Sequence, residues 1–161
     1  MPRFIRNFII LISDYCSFAL QHHLDTTPQA GKRHIAFLVT TNVLITQQVR
    51  NYQKYIRDNI RCVGLSGETD EIRLSLDLIV ELTDVIVMTP QILLNAIEKR
   101  DVESLKIFSL IIFDECHHTM RDHPYNAIMA HYLDEVLEAN WNPDVIKALP
   151  QVQVLELWGF R

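Results

Sequence analysis

An unbroken apolar run from Leu110 to Phe113 contains no alternation of polar and apolar positions. A strand with this pattern is buried on both faces, which is typical of a parallel sheet covered by helices. Strand patterns recur along the chain, and helical patterns separate them, so the sequence predicts an α/β fold with a parallel sheet. The predicted strands are His34–Val39, Arg61–Leu65, Asp84–Met88, Phe108–Phe113 and Gln151–Leu157. The predicted helices are Phe4–Leu24, Asn42–Asn59, Asp70–Leu82, Pro90–Arg100 and Pro124–Glu138.

Composition limits the partners and the compartment. The 161 residues are 48% apolar and 22% charged, as expected for a globular domain. The net charge of −5 provides no general basic field, so any contact with nucleic acid must come from local loops and helix N-termini. Three widely spaced cysteines argue against a disulfide framework and for a reducing compartment. The apolar run Phe8–Ile12 is too short to span a bilayer, so we expect a cytoplasmic protein without a membrane partner.

The predicted strand Phe108–Phe113 ends in two adjacent carboxylates, Asp114 and Glu115. In open α/β sheets the ligand crevice lies beyond the carboxyl ends of the strands. One carboxylate there can hold Mg²⁺ together with water and substrate phosphates, and a second can position or deprotonate an attacking water. Acidic residues at such a position can also simply solvate a turn, so this pair alone does not decide the function.

Four short motifs follow predicted strands in order along the chain. They are Phe37–Asn42 with Gln47-Gln48, Leu65–Gly67, Val87–Gln91 and Asp114–His117. This succession resembles motifs Ia, the following glycine motif, Ib and II of the first RecA-like domain of superfamily 2 DECH-box helicases. Together with Tyr125-Asn126 and His131–Leu133 it is similar to the retinoic-acid-inducible-gene-I-like receptors and Dicer-related helicases, which are cytoplasmic, double-stranded-RNA-dependent ATPases of RNA sensing and processing.

The resemblance implies a role for each matching residue. Asp114 is expected to hold Mg²⁺ through water, Glu115 to activate the hydrolytic water, and His117 to relay the nucleotide state. ATP and Mg²⁺ are the implied cofactors, bound in part by Asp114 and Glu115. The implied contacts to the backbone of double-stranded RNA are Thr41, Asn42, Gln48, Gly67, Thr89 and Gln91. Small polar side chains and helix N-termini can bind phosphates without a basic field, although Thr41-Asn42 and Thr89–Gln91 are also explained as plain helix caps.

The resemblance extends from about Phe18 to Gln153. We expect an atypical apolar segment over 1–17, a partial ATP-binding domain over 18–157 and a tail over 158–161. The glycine-rich phosphate loop of the family has no counterpart in this sequence, since Gly31-Lys32-Arg33 lacks the required pattern. The sheet is therefore expected to be incomplete at its N-terminal edge. Poor solubility from an exposed first strand would favour a fragment of a helicase over a binding module, since an unpaired strand edge invites aggregation. We expect this chain alone not to hydrolyse ATP at a useful rate, because motif III and a second RecA-like domain are absent from the sequence as well.

Two functions remain open from the sequence. The chain is either part of an active RNA-sensing helicase, completed by a second RecA-like domain, or a non-catalytic RNA-binding or regulatory module that docks RNA or a full-length relative. A zinc site at Cys116, His117, His118 and His123 fits no familiar spacing. Cys116 as a nucleophile is disfavoured by the acidic residues that precede it.

Overall fold

Five parallel strands form one sheet. The computed structural model describes residues 20–26, 34–55, 60–67, 75–115, 122–138, 142, 144 and 148–155. Within these ranges the strands are β1 (Ile35–Leu38), β2 (Cys62–Leu65), β3 (Val85–Met88), β4 (Leu110–Asp114) and β5 (Gln151–Leu155). Their order across the sheet is β2-β3-β1-β4-β5, and every pairing is parallel. The predicted parallel α/β sheet is confirmed and is consistent with a RecA-like domain.

Helices connect the strands at the positions that the sequence predicts. They are α1, described over residues 20–26, α2 (Asn42–Tyr55), α3 (Leu76–Leu82), α4 (Pro90–Glu98) and α5 (Pro124–Glu138). The prediction that α3 begins near Asp70 is wrong, because Ser75 has extended backbone (φ −60°, ψ 149°) directly before the helix. The predicted helical residues 4–19, 56–59 and 70–74 lie outside the described residues. None of the helices in the described ranges has the length and apolarity that crossing a bilayer requires.

The helices cover both faces of the sheet, and each face has its own apolar core. Successive residues of β1 point to opposite faces, so Ala36 and Leu38 pack with α3, α4 and α5, whereas Ile35 and Phe37 pack with α1 and α2. All four β1 side chains are fully buried. This burial explains why the strands read as continuous apolar runs rather than alternating ones.

The first described strand lies in the interior of the sheet. β1 pairs with β3 on one side and with β4 on the other, and the edges of the described sheet are β2 and β5. Both sides of β1 are therefore paired within the described sheet. Consecutive strands need not be neighbours in a parallel sheet, because long helical crossovers join them.

Candidate functional site

The carboxyl ends of four strands lie level with one another. Leu38, the last residue of β1, is in register with Met88 of β3 and Phe113 of β4, and Met88 is in register with Leu65 of β2. The residues that follow these strands therefore lie along the carboxyl edge of the sheet, the side on which the strands end. Neutral polar residues follow the adjacent strands β2, β3 and β1, and the acidic pair consists of the last residue of β4 and the residue after it.

The acidic pair has two different environments. Asp114 is the last residue of β4 and is only 9% exposed. Glu115 is half-buried and has a positive φ of 53°, in the left-handed region that residues other than glycine rarely adopt. Strained backbone of this kind costs on the order of 1–3 kcal/mol and is concentrated at functional sites. Glu115 has this conformation at the carboxyl end of β4, where the ligand crevice of an α/β fold is located.

A buried tyrosine fixes the position of this edge. The Tyr125 hydroxyl, on α5, donates to the backbone oxygen of Leu38 (3.0 Å) and to that of Asp114 (2.9 Å). Its ring is 2% exposed and packs edge-to-face on Phe113, with ring centroids 5.0 Å apart. Tyr125 thus joins the carboxyl end of β1, which precedes Thr41-Asn42, to the carboxyl end of β4, which carries Asp114.

A carboxylate on α5 anchors the segment that leads into β4. Glu135 accepts hydrogen bonds from the Ser104 hydroxyl (2.7 Å) and from the backbone N–H of Leu105 (2.8 Å). Leu105 begins the short 3₁₀ helix Leu105–Ile107, whose first N–H groups need such partners. Helix α5 therefore holds β4 at both of its ends, through Glu135 before the strand and Tyr125 after it.

The predicted RNA-contacting residues differ in how far their side chains are already occupied. The Thr41 hydroxyl caps α2 by accepting a long hydrogen bond, 3.4 Å, from the Leu44 N–H. The Thr89 side chain makes no capping hydrogen bond, so the plain-cap explanation does not account for it.

Gln91 donates to Asn95 (2.7 Å), and its side chain is exposed. The Gln48 side-chain oxygen is buried and has no donor among the described residues, so a contact to RNA from Gln48 would have to use its amide nitrogen. Asn42 and Gly67 are exposed at the same edge.

The remaining predicted sites fall largely outside the described residues. His117, Cys116 and His118 lie there, and their positions relative to the acidic pair stay predictions. Within the described ranges no three His, Cys, Asp or Glu side chains come together as metal ligands. Burial raises the pKa of the Cys62 thiol to about 12, so this cysteine is present as an unreactive thiol.

A comparison with protein families identifies this arrangement. The DEAD/DEAH box helicase family matches residues 15–149, most of the chain. The chain belongs to the DEAD/DEAH box helicase family. The described sheet and the acidic pair at the end of β4 thus form part of a helicase domain of this family.

Three proteins illustrate the similarity. The antiviral innate immune response receptor RIG-I of Homo sapiens is 43% identical over 133 residues, which cover 82% of this chain and 14% of that protein. The ATP-dependent RNA helicase DHX58 of Mus musculus is 32% identical over 144 residues, covering 88% of this chain and 20% of that protein. The endoribonuclease Dicer homolog 3b of Oryza sativa subsp. japonica is 35% identical over 120 residues, covering 73% of this chain and 7% of that protein. The chain thus spans a fifth or less of each of these relatives. The matches favour the helicase-domain interpretation over the non-catalytic module.

The sequence alone did not reveal two side chains that organise the site. Tyr125 is part of the Tyr125-Asn126 match to the helicase family, but nothing in the sequence indicates that its hydroxyl bridges two strands. Glu135 looks like an ordinary surface residue of a helix. Both act on backbone groups far away in the chain, and sequence patterns report local periodicity rather than such contacts.

Proposed function

We propose that this chain supplies part of the first RecA-like, ATP-binding domain of an ATP-dependent helicase that acts on double-stranded RNA. The observation that carries the proposal is the common edge of the sheet. There the acidic pair at the end of β4 shares the carboxyl edge with the neutral polar residues that follow β1, β3 and β2. Tyr125 joins the ends of the adjacent strands β1 and β4 through the backbone oxygens of Leu38 and Asp114.

The acidic pair fits a magnesium–nucleotide complex. Carboxylate oxygens are the ligands that Mg²⁺ prefers, and Mg²⁺ usually binds through one or two carboxylates together with water and substrate phosphates. When bound, Mg²⁺ neutralises charge on the transferred phosphoryl group. In this proposal Asp114 would hold the ion through water, Glu115 would activate the hydrolytic water, and His117 would relay the nucleotide state.

The neutral polar residues fit the backbone of RNA. A-form RNA is recognised mainly through phosphate and 2′-hydroxyl contacts, which need hydrogen-bond donors and acceptors rather than a large basic surface. The hydroxyl of Thr89, the amides of Asn42, Gln48 and Gln91, the N-terminus of α2 at Thr41 and the exposed Gly67 supply such groups. This distribution agrees with a protein whose net charge is −5.

The domain bounds, partners and location complete the proposal. Residues 18–157 belong to the ATP-binding domain, with 1–17 as an atypical segment before it and 158–161 as a tail. Hydrolysis of ATP requires a second RecA-like domain, which supplies the other side of the cleft in the complete protein. We place the protein in the cytoplasm, a reducing compartment that the three widely spaced cysteines favour.

Binding of an RNA duplex by the purified chain tests the proposal. We expect the fluorescence anisotropy of a labelled RNA duplex to rise as the chain is added. The affinity of the chain for the duplex should fall as the salt concentration increases. Asn42→Ala is expected to weaken binding. Asn142→Ala is a matched control, because Asn142 is exposed and precedes β5, at the opposite edge of the sheet. Equal affinity for an RNA duplex and a DNA duplex of the same sequence, or equal effects of the two variants, would contradict the proposal.

Release of phosphate from ATP gives a second measurement. With RNA duplex present, we expect the chain alone to show no useful turnover. Rapid turnover that Glu115→Gln abolishes would show that the expectation of inactivity is wrong, while supporting the role of Glu115.

A further inference from the structure

A cleft of about 590 Å³ runs along α2 beside the edge strand β2. Polar side chains of α2 and the residues at the end of β2 line it together. The lining residues are Asn42, Val43, Ile45, Thr46, Val49, Arg50, Gln53, Gly64 and Ser66. Asn42, a predicted RNA contact, and Ser66, the neighbour of Gly67, therefore share one cleft with residues that belong to none of the sequence motifs.

The polar residues of the cleft form one face of the helix. Asn42, Thr46, Arg50 and Gln53 follow one another at spacings of four, four and three residues, which places them in one row along α2. From Asn42 to Gln53 the helix advances roughly 16 Å. The row thus continues the carboxyl edge of the sheet along the outside of the domain.

Gly64 brings the helix close to the strand. A Cβ atom at position 64 would lie 2.6 Å from the Ile45 Cγ2 atom and 3.0 Å from the Val49 Cγ2 atom. The missing side chain lets α2 approach β2, so the apolar residues Ile45 and Val49 face the strand while the polar row faces outward. Gly64 itself is exposed at the floor of the cleft.

Arg50 gives the cleft a positive charge. Its side chain is exposed, and within the described ranges no carboxylate forms an ion pair with it. None of the described lining residues is acidic. In a chain with a net charge of −5, this cleft combines one cation with amide and hydroxyl groups. Such a set favours an anion that also offers hydrogen-bond acceptors.

We propose that the α2–β2 cleft binds a backbone phosphate of RNA through Arg50, and so extends the RNA-binding surface beyond Asn42 and Gly67. Gln53 and Thr46 contact the adjoining sugar and phosphate groups. This inference rests on the proposed function, since it assigns the cleft to the same RNA strand that the carboxyl edge of the sheet contacts.

The test measures the affinity of the chain for a labelled RNA duplex between about 50 and 200 mM salt. Arg50→Gln is expected to weaken binding about tenfold at low salt and to reduce the slope of log affinity against log salt by about one, the effect of losing one phosphate contact. Arg50→Lys keeps the charge and is expected to keep the slope. Arg61→Gln is the matched control, because Arg61 is an exposed cation that pairs with Asp84 (3.4 Å). It directly precedes β2 and so lies at the amino end of that strand, away from the carboxyl edge.

Each result decides between the inference and the proposed function. Wild-type affinity of Arg50→Gln together with weakened Asn42→Ala would overturn the role of the cleft and leave the proposed function in place. Equal losses in Arg50→Gln and Arg61→Gln would also overturn it, since they would report only net charge. If the wild-type chain binds no RNA duplex at low salt, both proposals fail. Urea unfolding of each variant shows whether a loss of affinity follows from a loss of folding.

Discussion

Replacing Tyr125 by phenylalanine removes a single oxygen atom and with it both hydrogen bonds that join β1, β4 and α5. The ring, its burial and its edge-to-face contact with Phe113 stay as they are. The backbone oxygens of Leu38 and Asp114 each lose the hydroxyl donor. Because Leu38 is fully buried and Asp114 is 9% exposed, water has little access to replace that donor.

The magnitude follows from this environment. Leaving a buried acceptor without its donor costs about 1–3 kcal/mol. One hydroxyl hydrogen is shared between two acceptors here, so we expect a loss of about 2 kcal/mol in the free energy of unfolding rather than twice the single value. For a domain of this size, such a loss lowers Tm by roughly 4–8 °C.

Urea unfolding followed by circular dichroism measures this loss, provided that the m-value stays constant. Tyr132→Phe is a matched control. The Tyr132 hydroxyl makes one long hydrogen bond, 3.4 Å, to the backbone oxygen of Pro150, and its side chain is half-buried. We expect the control to lose less than about 0.5 kcal/mol. Equal stabilities of the two variants would refute the argument that Tyr125 anchors the edge of the sheet.

Two further predictions concern the face of the sheet that α1 and α2 cover. Gly64→Ala places a methyl group 2.6 Å from the Ile45 Cγ2 atom, and we expect a loss of about 1–3 kcal/mol in urea unfolding. Gly67→Ala meets nothing within 4 Å and is the control, with a change between zero and a gain of about 1 kcal/mol. Equal losses in both variants would contradict the close approach of α2 to β2. Burial, and secondarily the charge of His22, lower the pKa of His23 below 6.5. The unfolded chain then binds the proton more readily, so this contribution to stability is complete above about pH 6.5 and is lost as the pH falls towards the lower folded pKa. His23→Gln should flatten the dependence of Tm on pH in this range, and an unchanged profile would show that the histidine does not contribute.

The sequence predicted the elements well because their signals are local. The apolar run of β4 is buried at every position, and Pro90 and Pro124 begin helices, as their fixed φ favours. The start of α3 was missed because residues such as Ser75 fit equally well inside a weak helical pattern and before a helix. The order of the strands is a property of long-range pairing, which periodicity does not encode.

The candidate site could be predicted only in part for the same reason. Motif residues after each strand are placed at one edge by the general geometry of parallel sheets, and this explains why Asp114, Thr89 and Asn42 lie together. The partners that hold the edge in place come from α5, far along the chain. Arg50 belongs to no motif, and a polar row on a helix is usually a solvated face, so the sequence gives no signal that separates it from other exposed residues.

The central position of β1 determines the order in which the domain can fold. During synthesis this apolar strand emerges before either of its neighbours, since β3 and β4 are both encoded later. It cannot complete its hydrogen bonds until β4 has left the ribosome, and contacts between residues so far apart in the chain form slowly. Nascent chains that end before Asp114 therefore carry an apolar strand with an open side, which favours capture by chaperones or aggregation over folding.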